Sequence, residues 1–382
     1  MRILLLNYEF PPLGGGAGNA TKNIAREMTA LGHSVCVVTA WFEGQSDDEV
    51  VDRYRVIRLH SLRKKKESSN LVEMLHFVWC AIRGSKSIVS EFKPEKVVCF
   101  FAVPTGIIGL YLKKKYKLPY IISLRGGDVP GFLPISLKYH HIISASVTNL
   151  VWKGSADIIA NSKGLTTLAE KTALKFSKTV EYIPNGVNTK EFFPAQVVKD
   201  TSKLKLLFVG RLVEQKGVTY LIKAVEQIIL KNPSLKDAIS CDVIGDGSLR
   251  ESLEAEAKSK NLEHAFSFLG WASRADLPAY YQKADVFVLP SFDEGMPNVV
   301  LEAIASGMAI IATDIAGNDE LVESGSNGFL YKDHKDLSEI IEKFIKDPDL
   351  RTSFGKASEL KSQTFSWKMV AEKYINICQK IK

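Results

Sequence analysis

The run Val286-Phe287-Val288-Leu289-Pro290-Ser291-Phe292-Asp293-Glu294-Gly295-Met296-Pro297-Asn298-Val299-Val300-Leu301-Glu302-Ala303 decides how this chain is read. Four uninterrupted apolar residues ending at Pro290 predict a strand buried on both faces. Pro297 suits a first helical turn, and Gly307 stops the helix after roughly ten residues. Glu294 then falls in the loop before the helix and Glu302 in its second turn. Backbone donors from Gly295 to Val300 would face an anionic ligand, while the two carboxylates accept from hydroxyls on either side of it. That chemistry suits a sugar joined to a nucleoside diphosphate. Plainer roles are a helix-dipole charge for Glu294 and a solvated face for Glu302.

Working outward, the same alternation of apolar strand and amphipathic helix covers the chain. Ile3–Leu6, Ser34–Thr39, Lys96–Phe101, Tyr120–Leu124 and Asp157–Ala160 predict strands in the first half. Leu204–Val209, Ser240–Ile244, Ala265–Leu269, Val286–Leu289 and Ala309–Ala312 predict them in the second, with helices near 217–231, 248–260, 276–283 and 297–306. Such strands imply parallel sheets covered on both faces, hence an α/β chain of two Rossmann-like domains. A length of 382 residues agrees with two domains. The expected division is a first domain over 1–190, a linker over 191–203 around Pro194, a second domain over 204–364, and a terminal helix over 365–382 that completes the first. Ligands of open α/β sheets sit outside the carboxyl ends of the strands, so two facing domains would enclose a cleft.

Composition excludes several classes. Apolar residues make up 46% and charged residues 24%, which rules out wholesale disorder and a polytopic membrane chain. The longest uncharged stretch, Val97 to Leu112, contains Pro104 and falls short of the ~20 residues a membrane helix needs. Cys36, Cys80, Cys99, Cys241 and Cys378 are an odd, scattered set that fits neither a disulfide framework nor a zinc site. With no export signal at Met1–Leu6, the expected home is the reducing cytoplasm. Charge is uneven: 1–190 carries 26 Lys and Arg against 15 Asp and Glu, while 191–382 carries 24 against 28. Arg63-Lys64-Lys65-Lys66 and Lys113-Lys114-Lys115 concentrate the excess, and either an anionic membrane surface or plain solvation accounts for them.

Two further loops belong with the Glu294 segment. Pro11-Pro12-Leu13-Gly14-Gly15-Gly16-Ala17-Gly18 joins the first strand to a helix from about Asn19, so amides there can approach an anion or simply turn the chain. It lacks the Gly-Lys-Ser/Thr of a P-loop, and Asn19 stands where a dinucleotide fingerprint would need its third glycine. Gly210-Arg211-Leu212-Val213-Glu214-Gln215-Lys216-Gly217 sets two cations five residues apart after a strand, which suits a diphosphate.

These three segments, in this order, resemble the retaining glycosyltransferases of the GT-B fold, and specifically glycosyltransferase family 4. The resemblance extends to Val243-Ile244-Gly245-Asp246-Gly247, Phe268-Leu269-Gly270-Trp271, Ala284-Asp285-Val286, Ile183–Asn188 and the Phe365–Trp367 turn, and so covers nearly the whole chain. It implies that Arg211 and Lys216 hold the donor diphosphate, with Gly15 and Gly16 closing over it and Gly210 beside it. Glu302 would bind the ribose, and Glu294 the sugar hydroxyls near the reacting face. The amides of Gly295, Met296, Asn298 and Val299 would seat sugar and phosphate, and Leu269 with its neighbours would flank the base. It implies no metal and no cofactor, the nucleotide-sugar being a co-substrate. The acceptor would be a glycan or a lipid-linked sugar, not a nucleic acid, and the product a cell-surface polysaccharide or glycolipid. Where many members carry His, this chain has Arg125, followed by Gly126-Gly127-Asp128. Arg cannot act as a base, so Arg125 and Asp128 are candidates for acceptor-side contact, with His140 and His141 in the same region. A 2-epimerase on this fold and a non-catalytic nucleotide-sugar-binding subunit are the alternatives.

Overall fold

The computed structural model describes residues 1–66, 69–129, 131, 138–195 and 202–381; of 138–145 it describes the backbone alone. Two units emerge, Met1–Gly186 with Trp367–Lys382, and Val187–Ser366. The chain thus leaves the first unit after Gly186 and re-enters it at Trp367. The two passages lie side by side: a Cβ on Gly186 would come 2.7 Å from the Trp367 amide nitrogen.

In the first unit β1 (Arg2–Leu6), β2 (Ser34–Ala40), β3 (Asp48–Val51), β4 (Tyr54–Leu59), β5 (Lys96–Phe100), β6 (Tyr120–Leu124), β7 (Asp157–Ala160) and β8 (Glu181–Tyr182) form one sheet in the order β3-β4-β2-β1-β5-β6-β7-β8. Every pairing is parallel except β3 with β4. The helices are α1 (Gly16–Ala30), α2 (Leu71–Phe92), α3 (Thr105–Tyr116), α4 (Lys138–Gly154) and α5 (Lys163–Ala173). Side chains on the two faces of the central strands enter separate cores. Leu4, Leu6, Val97 and Cys99 pack toward α2 and α3, whereas Ile3, Leu5, Val98 and Phe100 pack toward α1 and the returning C-terminal helix.

The second unit orders β9 (Leu204–Val209), β10 (Ile239–Ile244), β11 (Phe266–Gly270), β12 (Val286–Leu289), β13 (Ala309–Thr313) and β14 (Gly328–Tyr331) as an all-parallel sheet, β11-β10-β9-β12-β13-β14. Its helices are α6 (Val218–Lys231), α7 (Arg250–Ser259), α8 (Leu277–Lys283), α9 (Asn298–Ala305), α10 (Asn318–Leu321), α11 (Asp336–Lys346) and α12 (Pro348–Ser362); α13 (Trp367–Lys380) rejoins the first unit. Strand order reverses between β9 and β12, the kind of switch point at which such sheets bind ligands. No described helix is long and apolar enough to cross a membrane.

Two local differences from the sequence expectation have physical causes. Helix α1 starts at Gly16, three residues before Asn19. Gly16 and Gly18 are poor helix formers, but the buried face of Ala20, Ile24, Ala25 and Met28 stabilises the helix and carries this first turn with it. The β3–β4 hairpin went unpredicted because Asp52 and Arg53, both at positive φ, make its turn without the Asn-Gly that usually signals one.

Candidate active site

The loops that leave the carboxyl ends of the second sheet pack main chain against main chain, and glycine is what permits it. A Cβ on Gly245 would lie 1.8 Å from the Gly210 carbonyl oxygen, one on Gly217 2.2 Å from that of Pro290, and one on Gly317 2.2 Å from that of Gly295. All three glycines sit at positive φ. Hydrogen bonds fix the same approach: the Phe292 amide donates to the Gln215 carbonyl at 2.9 Å, and the Gln215 side-chain amide donates to the Asp293 carbonyl at 2.9 Å.

This stitching places two residues that are 78 apart in sequence on one another. Lys216, in a single 3₁₀ turn before α6, donates Nζ to Oε1 of Glu294 at 2.5 Å. Both side chains are nearly buried. The ammonium keeps two further N–H groups, so it can serve Glu294 and a phosphate oxygen together. Arg211, in the same loop, is exposed. Asn298 opens α9, Pro297 stands before it in extended geometry, and the residues from Gly295 to Val299 form the loop and first turn.

Glu302 lies in the second turn of α9, 4% exposed. Its Oε2 accepts from the Tyr281 hydroxyl at 3.0 Å and its Oε1 accepts from Arg274. Burial raises the Glu302 carboxyl, and the adjacent Arg274 pulls it back. Burial also lifts the Tyr281 phenol well above its usual range. Sequence reading missed Arg274, Tyr281 and Glu191, whose Oε1 accepts from Arg274 Nε at 2.8 Å. With Glu191 separated from Arg274 by 83 residues, no local pattern announces the contact. At the end of β11, Leu269 and Trp271 are both exposed, Trp271 at 77%.

In the first unit Gly15 and Gly16 are exposed at the start of α1, and a Cβ on Gly15 would meet nothing within 4 Å. Among the described residues no side chain caps this helix. Arg125 and Asp128 both have internal partners. Arg125 donates to the Asn185 side-chain carbonyl at 2.7 Å and the Tyr374 hydroxyl at 3.1 Å, with its guanidinium 4.9 Å from the centre of the Phe100 ring. It thereby pins α13 onto the end of β6. Asp128 accepts from the amides of Ala102, Arg125 and Gly126 at 2.8–3.1 Å, which holds the turn after β6. The side chains of His140 and His141 lie outside the described residues. Among the described residues, no three His, Cys, Asp or Glu side chains are grouped as metal ligands would be.

A family model described as Glycosyltransferase Family 4 matches residues 14–191, and one described as Glycosyl transferases group 1 matches 189–361. The chain is 35% identical to the UDP-Gal:alpha-D-GlcNAc-diphosphoundecaprenol alpha-1,3-galactosyltransferase of Escherichia coli, over 70% of this chain and 71% of that one. The chain belongs to glycosyltransferase family 4. An uncharacterised glycosyltransferase of Methanocaldococcus jannaschii is 27% identical over 96% of this chain and 95% of its own. In fold, this glycosyltransferase is similar to sucrose-phosphate synthase from Thermosynechococcus elongatus, with a TM-score of 0.85 at 20% identity, covering 100% of this chain and 98% of the other. The architecture is GT-B, and the protein is a transferase.

Proposed function

We propose that this glycosyltransferase moves a sugar, with retention and without a metal, from a nucleotide-sugar to a hydroxyl of a glycan or lipid-linked acceptor. The observation that carries the reading is the Lys216–Glu294 pair at 2.5 Å, which puts a cation for the diphosphate beside a carboxylate for the sugar. Arg211 is the second cation, and Glu302 receives the ribose. The amides of Gly295, Met296, Asn298 and Val299 seat sugar and phosphate, Gly210 gives the diphosphate close backbone approach, and Leu269 flanks the base. On this reading the acceptor oxygen bonds to the anomeric carbon on the face from which the diphosphate departs, and the acceptor proton passes to a phosphate oxygen. Lys216, Arg211 and backbone donors stabilise the charge that develops on the leaving group. Arg125 and Asp128 shape the acceptor side through the partners that hold the loop after β6. Transfer, or slow donor hydrolysis, is expected to persist in excess EDTA. Complete loss with chelator, restored by Mg²⁺ or Mn²⁺, would refute the metal-free mechanism.

The galactosyltransferase relative is named for a diphosphoundecaprenol acceptor, and the first unit of this chain has features suited to such lipids. On α2, Leu71, Val72, Leu75 and Trp79 are exposed at spacings that share one side of the helix. Arg83 lies over the Trp79 ring at 5.4 Å, Arg63–Lys66 precedes the helix, and Lys113–Lys115 ends α3. We read this as peripheral docking on the anionic inner face of the cytoplasmic membrane, where each cation contributes ~1 kcal/mol and salt screens it. Such a location suits synthesis of cell-surface polysaccharide or glycolipid. Cosedimentation with anionic liposomes is expected at low salt and should weaken at high salt. Equal binding to neutral vesicles, or none at low salt, rejects electrostatic docking.

A further inference from the structure

We infer that Arg274, braced by Glu191, is a positioning residue for donor recognition that sets the Glu302 carboxylate toward the ribose. The inference rests on the proposal that Glu302 accepts from ribose hydroxyls. It goes beyond that proposal by assigning a role to a residue that no strand-end loop motif contains.

Arg274 lies in the loop between β11 and α8, and its guanidinium has one carboxylate on each side. Nε donates to Glu191 and Nη1 to Glu302, while the guanidinium lies over the Phe192 ring at 4.6 Å. Phe192 is fully buried and meets Tyr281 edge-on at 5.5 Å. Glu191 is itself held, because its Oε2 accepts from the Asn188 side-chain amide at 3.4 Å. The guanidinium is thus fixed by an aromatic face beneath it and an anchored carboxylate behind it. A fixed planar fork constrains the carboxylate it meets far more than a mobile ammonium would.

The consequence for Glu302 follows from counting lone pairs. Each carboxylate oxygen has two, and Arg274 and Tyr281 take one apiece, which leaves one on each oxygen for the hydroxyls of a ribose diol. The Glu302 side chain is 6% exposed, so little water competes for them. The titratable groups acting on Glu302 are Arg274 from the loop, Tyr281 from α8 and the charge of Glu191 behind Arg274. Burial favours the protonated acid, Glu191 adds to that, and Arg274 is the cation that opposes both. A protonated Glu302 would lose much of its capacity to accept. Without Arg274, ribose recognition should therefore become dependent on pH and recover as the solution becomes alkaline.

The test measures the affinity of wild-type, Arg274→Met, Arg274→Lys, Glu191→Gln and Glu302→Gln proteins between pH 6.5 and 9. The probes are whichever of uridine, guanosine and adenosine diphosphate binds tightest, and its 2′,3′-dideoxy counterpart. Charge-assisted hydrogen bonds of this kind predict that Arg274→Met binds the ribose form about tenfold more weakly at pH 6.5, with the deficit shrinking to about threefold or less at pH 9. The dideoxy form should be nearly indifferent to the substitution. Arg274→Lys should restore the charge and so remove most of the pH dependence while recovering the affinity only in part, and Glu191→Gln, which loosens Arg274 but takes a negative charge away from Glu302, should give a smaller loss that does not deepen at low pH. Equal losses for both nucleotides at every pH would overturn the inference and leave Arg274 a structural residue. If wild-type protein does not discriminate between the two nucleotides and Glu302→Gln changes nothing, the ribose assignment of Glu302 fails instead.

Discussion

Lys216→Ala is expected to weaken binding of a free nucleoside diphosphate roughly ten- to a hundredfold, corresponding to ~1.5–3 kcal/mol for a charge-assisted contact. Lys216 and Glu294 are both nearly buried, so water screens the charge of this ammonium little. Glu294→Gln should behave differently. A nucleoside diphosphate has no transferred sugar, and removing the carboxylate charge frees the ammonium for phosphate. Diphosphate affinity should therefore hold or rise while sugar transfer drops steeply. Titration calorimetry on both variants, beside a transfer assay, separates the two roles. Unchanged affinity in Lys216→Ala would move the diphosphate away from this loop.

The second large effect concerns the backbone. Gly245→Ala would bring a Cβ to 1.8 Å from the Gly210 carbonyl oxygen at a φ of +134, so the loops after β9 and β10 must separate. Strain and lost packing of this kind cost on the order of 3–5 kcal/mol. At about 2–4 °C per kcal/mol for a unit of this size, the melting temperature should fall by on the order of 10 °C. Diphosphate affinity should fall with it, since Gly210 opens the loop that ends at Lys216. Gly325→Ala is the control. Its φ is +84, yet an added Cβ meets nothing within 4 Å, so only local strain of ~1 kcal/mol is expected. Equal melting temperatures for the two variants would refute the close approach of these loops.

Much of the framework was legible because buried parallel strands leave a local signature. Tyr120–Leu124, Asp157–Ala160, Leu204–Val209 and Val286–Leu289 coincide with their predicted spans. Their burial demands a largely apolar run, broken only by Ser123, Asp157 and Lys205, and that run is visible without any partner. The edge strands β3 and β14 were not legible. Asp48–Val51 mixes polar and apolar residues because it pairs on one side only, and Gly328–Tyr331 begins with glycine. The order β11-β10-β9-β12-β13-β14 was likewise hidden, since sequence gives each strand but not its neighbour.

The candidate site divides in the same way. Sequence by itself determined which loops carry glycines, cations and carboxylates, because the chemistry of a residue and its place after a strand are both local. It marked Lys216, Glu294, Glu302 and Arg125 as residues of interest on that ground. Only the tertiary structure decided what each of them touches. It paired Lys216 with Glu294, turned Arg125 inward onto Asn185 and Tyr374, and brought Glu191, Arg274 and Tyr281 around Glu302. The reason is physical: a carboxylate or a guanidinium declares its charge in the sequence, but its partner and its burial are set by chain segments tens to hundreds of residues away.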